Sequence, residues 1–326
     1  VMSEYSIGRG VIQITQLIQR VKELGMKAVA ITDIGVLHGM LKFYEEAIKN
    51  GIKPIIGCDM YIQDDHGVES SVVLLAENNA GLKNLIKLSS IQNILPDMYL
   101  TLPDLKNNHD GLIALYGATN IKLLNQAESK QTLLRRNVEA LQNIFGKDNC
   151  FIEQIFYSTQ ENSIINTANA EIARELSVPI VASNGVKYLF PEDEQIYLFH
   201  NGKSLLPEGC EYFDMGKEAF LKDYEQMAAM FPDMPKILST SVAIADRCNI
   251  DFKFNEVHLP KYKTDEYENS DDCLHALTMN GLKKKYDKVN KKVMKRANYE
   301  LSIIQEKNAT DYFLILWDMI QFAKSE

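Results

Sequence analysis

Along the first stretch of the chain, apolar positions alternate between a helical and a strand rhythm. Residues 11–24 (VIQITQLIQRVKEL) place Ile12, Leu17 and Val21 at helical intervals and stop at Gly25, a residue suited to a helix C-terminus. Lys27 to Thr32 (KAVAIT) is short, apolar and β-branched, as a strand buried on both faces should be. The alternation recurs, with a helix near 38–49, strands at 52–57 and 71–76, and a helix near 80–90. Apolar strands follow at 112–116, 151–155 and 179–183, with amphipathic helices at about 130–145 and 162–176. Repeated strand–helix units predict parallel strands with right-handed crossovers, and so many units favour a barrel-like closure. The expected class is α/β.

After Phe190 the rhythm becomes helical, at 192–201, 217–231 and 234–248. A polar stretch at 261–271 (KYKTDEYENSD) is the natural linker, followed by helices at 271–286 and 290–307. The last segment, Tyr312 to Ala323 (YFLILWDMIQFA), is apolar nearly all round and is expected to be buried against a partner that need not lie within this chain.

Composition narrows the function. The 326 residues are 46% hydrophobic but contain no run long enough to span a bilayer, so a cytoplasmic protein is expected. A net charge of −9 opposes simple duplex binding. The one dense basic segment, Lys283 to Arg296 (KKKYDKVNKKVMKR), reads as a solvated helix face, with phosphate contact as the alternative. Cys58, Cys150, Cys210, Cys248 and Cys273 are odd in number and form no CxxC pair, which fits reduced thiols rather than disulfides or a zinc ribbon. His38, His66, His109, His200, His258 and His275 lack metal-ligand spacing, and GxGxxG, GxxxxGK[ST] and GxSxG are all missing.

Ordered blocks then become recognisable. SEYS at 3–6, LGMKAVAITDIG at 24–35, GMLKFYEEAIKNGIKPIIGCDMYI at 39–62 and LLAENNAGLKNLIKL at 74–88 resemble the opening of the polymerase-and-histidinol-phosphatase (PHP) domain in bacterial C-family replicative polymerase alpha subunits. PIVASNGVKYL at 179–189, IADRCNIDF at 244–252, LPKY at 259–262 and YFLILWDMIQFAK at 312–324 continue the resemblance over nearly the whole chain. It implies a distorted (β/α)7 barrel over 1–257, a linker at 258–270 and the helical start of a polymerase palm at 271–326. The palm's aspartates, its Mg²⁺ and its contacts with primer-template DNA are expected in the full-length protein. The same holds for the proofreading exonuclease subunit and the sliding clamp as partners. A damage-bypass paralogue shares every block quoted.

Active PHP domains carry a three-metal phosphoesterase site at the strand ends, where metals activate water and neutralise a phosphodiester. Matched onto that pattern, the resemblance places ligands at Met2, Arg9, Ile34, Asp59, Ser71, Ala118, Gly185 and Lys187, beside Asp33 of the TDxG block; two further histidines would precede Val1. Most of these side chains cannot ligate, and Arg9 and Lys187 are cations. The resemblance therefore implies a vestigial, metal-free site with no catalytic residue in this chain, in which Arg9 or Lys187 compensates Asp33 or Asp59. A working PHP phosphoesterase or 3′–5′ exonuclease is the alternative.

Overall fold

The computed structural model describes residues 1–117, 132–156, 160–200, 218–232, 234, 236–254, 260–264 and 266–326. They fall into two compact units, Val1–Asp251 and Phe252–Glu326.

The first unit is built on a seven-stranded sheet. Its elements in chain order are α1 (Ile14–Glu23), β1 (Ala28–Ile34), α2 (Met40–Lys49), β2 (Lys53–Gln63), β3 (Glu69–Ala76), α3 (Asn79–Ile94), β4 (Leu100–Thr101), α4 (Leu102–Asn107) and β5 (Leu112–Tyr116). They continue with α5 (Thr132–Phe145), β6 (Cys150–Ile155), α6 (Gln160–Leu176), β7 (Ile180–Ser183), α7 (Glu194–His200), α8 (Tyr224–Met230) and α9 (Lys236–Arg247). The strand order is β1-β2-β3-β5-β6-β7, with β4 pairing β2.

One departure from the expected all-parallel sheet is β3, which runs antiparallel to both β2 and β5. Residues 64–68 are too short for a crossover, which takes a dozen residues or more, so β2 and β3 form a hairpin. Asp64 holds that turn by accepting from the backbone N–H groups of His66 and Val68, both at 2.9 Å, and it pairs with Arg136 of α5. The short pair β4–α4 was not anticipated; Thr101 and Asp104 form its capping box. Residues 219–223, expected to be helical, precede α8 without helical structure, and Phe220 bridges to Tyr188.

The N-terminal segment links the two edges of the curled sheet. Thr32 N–H of β1 donates to the Val1 carbonyl at 2.8 Å, while Met2 and Val11 donate to Val186 and Lys187, just past β7, at 3.0 and 3.1 Å.

Strand alternation gives the inner face two zones. Ile55, Leu75, Ile113, Leu115, Phe151 and Val181 form one apolar cluster, into which pack Ile244 of α9 and Cys248 just past its end. Further along the same face stand Thr32, Asp59, Ser71, Glu153 and Ser183, around a cavity of ≈ 330 Å³. Four of these five lie at or towards the C-terminal ends of parallel strands, the side where α/β barrels carry their chemistry. Ser71 comes from the antiparallel β3.

The second unit consists of α10 (Ser270–Lys285), α11 (Lys291–Glu306) and α12 (Thr310–Ser325). Asp311 fixes the start of α12 by accepting from Ser270 Oγ at 2.6 Å and Tyr262 N–H at 3.0 Å. Within the unit the last segment is only partly covered. Thr310 and Leu314 are buried, whereas Tyr312, Phe313, Leu316, Trp317, Met319, Ile320 and Phe322 are all exposed, because an apolar circumference exceeds what two neighbouring helices can cover.

Candidate active site: the barrel mouth

The two aspartates expected to stand near one another face opposite sides of the sheet. In the parallel β1–β2 ladder Ile34 is opposite Asp59, and Asp33 is opposite Cys58. Paired residues share a face and successive ones alternate, so Asp59 opens to the cavity and Asp33 does not. Both were expected in loops after strands; both lie within strands, because β1 and β2 extend past the apolar runs.

Asp33 is fully engaged by the N-terminal segment. Its Oδ1 accepts from Ser3 N–H at 2.7 Å and Ser6 Oγ at 2.6 Å, and its Oδ2 accepts from Ser3 Oγ at 2.7 Å. Ser6 Oγ also accepts from Ile34 N–H at 3.2 Å, and the Cys58 thiol donates to the Asp33 carbonyl at 3.0 Å. The next turn is held from α3: Gly35, at φ 66°, takes a conformation favouring glycine, and its carbonyl accepts from Ser89 and Asn93. These contacts explain SEYS and TDIG as one structural knot.

Asp59 and Glu153 are the carboxylates of the cavity. Burial raises Asp59 to about 6, against the Ser71 hydroxyl that donates to it and the nearby charge of Lys187, which both favour its ionised form. Its Oδ1 is enclosed without a hydrogen-bond partner among the described residues. Glu153 is raised further, to about 7, by burial and then by the negative charge of Asp59, while Ser183 donates to it. Sequence reasoning missed Glu153. The available signal was a lone carboxylate in the apolar strand FIEQI, a residue rarely buried without purpose.

The other anticipated positions take ordinary places. Met2 and Gly185 line the cavity, with Gly185 at φ 56°. Lys187 Nζ lies 5.7 Å from the centre of the Tyr197 ring. Arg9 is exposed, and its charge acts on Tyr61, whereas Lys187 is the side-chain cation that acts on Asp59. Ala118 lies outside the described residues. A second cation unforeseen from the sequence, Lys222, is buried at the cavity wall, where it pairs with Glu218 at 3.1 Å and donates to Asn184 Oδ1 at 3.4 Å.

This donor set does not fit a three-metal cluster. Ile34 offers hydrocarbon opposite Asp59, and Lys187 and Lys222 bring positive charge. Among the described residues, no three His, Cys, Asp or Glu side chains converge as metal ligands do.

Residues 1–154 match the PHP domain, and residues 272–326 match the bacterial DNA polymerase III alpha NTPase domain. The protein named DNA polymerase III subunit alpha in Borreliella burgdorferi is 34% identical over 99% of this chain and 30% of its own length. The chain carries a PHP domain and resembles the N-terminal part of DNA polymerase III alpha subunits over nearly its whole length. Its namesakes in Treponema pallidum and Bacillus subtilis are 31% and 28% identical over 99% of the chain, each over 29% of that protein. The chain thus spans under a third of these alpha subunits. The α/β barrel expected of a PHP domain is the fold observed, with β3 reversed. No helix among the described residues is long and apolar enough to cross a membrane.

Proposed function

We propose that this chain is the metal-free, catalytically inactive PHP barrel and opening palm segment of a cytoplasmic DNA polymerase III alpha subunit. In the full-length protein the barrel supports a Mg²⁺-dependent polymerising centre. The replicase as a whole engages primer-template DNA, the proofreading exonuclease subunit and the sliding clamp, with the barrel as the docking surface for the exonuclease.

The observation that carries inactivity is the lining of the cavity: Ile34 stands opposite Asp59 on the inner face, Lys187 acts on Asp59, and Lys222 brings a second positive charge to the wall. The family names of the relatives support the polymerase setting. The vestigial positions are then Met2, Arg9, Asp33, Ile34, Asp59, Ser71, Ala118, Gly185 and Lys187.

Phosphodiester hydrolysis tests the assignment. Purified chain should hydrolyse neither single-stranded DNA nor a phosphodiester reporter in Mn²⁺, Zn²⁺ or Fe²⁺. A second reading, an active phosphoesterase, draws on the two carboxylates Asp59 and Glu153 sharing one cavity. Metal-dependent turnover that disappears in Asp59→Asn would establish it and overturn the inactive scaffold.

A further inference from the structure

The second unit carries positive charge that its own fold does not use. α10 ends on Lys283, Lys284 and Lys285, Lys288 lies in the connection, and α11 opens with Lys291, Lys292, Lys295 and Arg296. Against these eight cations the segment holds one acid, Asp287, in a chain whose net charge is −9. All eight are exposed. Among the described residues, Arg296 is the one with a carboxylate partner, Glu300 on the next turn.

We propose that this end of the α10–α11 hairpin binds the phosphate backbone of duplex DNA. The proposal rests on the polymerase setting of the chain. A solvated helix face normally mixes charges, and acids favour the first turn of a helix because they meet the positive end of its dipole. α11 does the reverse: its first turn has no acidic residue, and Lys291 and Lys292 stand where cations are repelled. Lys291 with Lys295, and Lys292 with Arg296, are like charges four residues apart on one face, a spacing that also opposes the helix. Asn290 caps that end by accepting from the N–H groups of Lys292 and Val293, both at 3.0 Å, so the helix forms despite its charges. Electrostatic cost retained against local preference marks a surface meant for an external polyanion.

Fluorescence anisotropy of the whole chain with a labelled duplex of about 20 base pairs, from about 50 to 200 mM salt, tests the proposal, since each neutralised phosphate contributes about 0.9 to the salt slope. Replacing Lys284, Lys288, Lys292 and Lys295 together by Gln should weaken binding by about tenfold or more and flatten the slope by about one unit per lost contact. Replacing the exposed Lys22, Lys49, Lys83 and Lys106 by Gln should change neither. Equal losses in both variants, no duplex binding at the lowest salt, or binding confined to phosphatidylserine vesicles would each overturn the proposal. Hydrolysis by the same preparation is read separately, so failure here leaves the inactive-barrel assignment standing.

Discussion

Ile34 of β1 and Asp59 of β2 are register partners on the inner face of the sheet, whereas Asp33, one residue earlier, faces outward beside Cys58. Strand alternation therefore separates two carboxylates that neighbouring motifs would join. Asp33 has become a structural acceptor for the N-terminal segment, and Asp59 lines a cavity with Glu153. The consequences of the two can be measured separately.

Loss of the Asp33 knot should weaken the whole unit. Three hydrogen bonds to a buried carboxylate, each worth about 1.5–3 kcal/mol, predict that Asp33→Ala destabilises by ~3 kcal/mol or more and Ser6→Ala by ~1–2 kcal/mol. Urea denaturation midpoints report both, and parental midpoints for Asp33→Ala would contradict the role.

The cavity carboxyls set an unusual pH dependence. Folding raises Glu153 to about 7 and Asp59 to about 6, so between about pH 4 and 7 the folded state holds more protons than the unfolded chain. Stability should therefore fall as pH rises through that window. Glu153→Gln should flatten the fall and stabilise by about 1–3 kcal/mol at pH 8, with little effect at pH 4. Chemical denaturation across this range tests it, and a parental profile in the variant would contradict the placement of Glu153.

Of the two cations implied as stand-ins for metal charge, Lys187 acts on Asp59 and Arg9 does not. Lys187→Ala should raise Asp59 further and cost about 1 kcal/mol at pH 8. Arg9→Ala, at an exposed position, should stay within about 0.5 kcal/mol of the parent. Thermal melts of the two variants decide the order, and the reverse order would remove Lys187 from the account.

Much of this was legible from residues alone. KAVAIT, LIALY and FIEQI are strands, and β5 occupies 112–116 as expected, because an apolar β-branched run with short flanks leaves few alternatives. The reversed β3 was not, since its direction depends on the five-residue turn that Asp64 fixes rather than on its own pattern. Asp33 and Asp59 were visible as chemistry, but their opposite faces follow from register, which a single strand does not disclose. Glu153 carried a signal as the lone carboxylate of an apolar strand, but the cavity it shares with Asp59 shows only in three dimensions, and Lys222, followed by Asp223, carried none. What covers the exposed face of α12 was not legible, because periodicity gives the amount of apolar surface and not its partner.

The central claim is that the barrel holds its N-terminal segment without metal. Elemental analysis of the chain, purified without chelator and dialysed against metal-free buffer, tests it most directly. The predicted result is well under one equivalent of zinc, manganese or iron, with a melting temperature unmoved by EDTA; two or more tightly held metal ions per chain, with melting lowered on their removal, would contradict it.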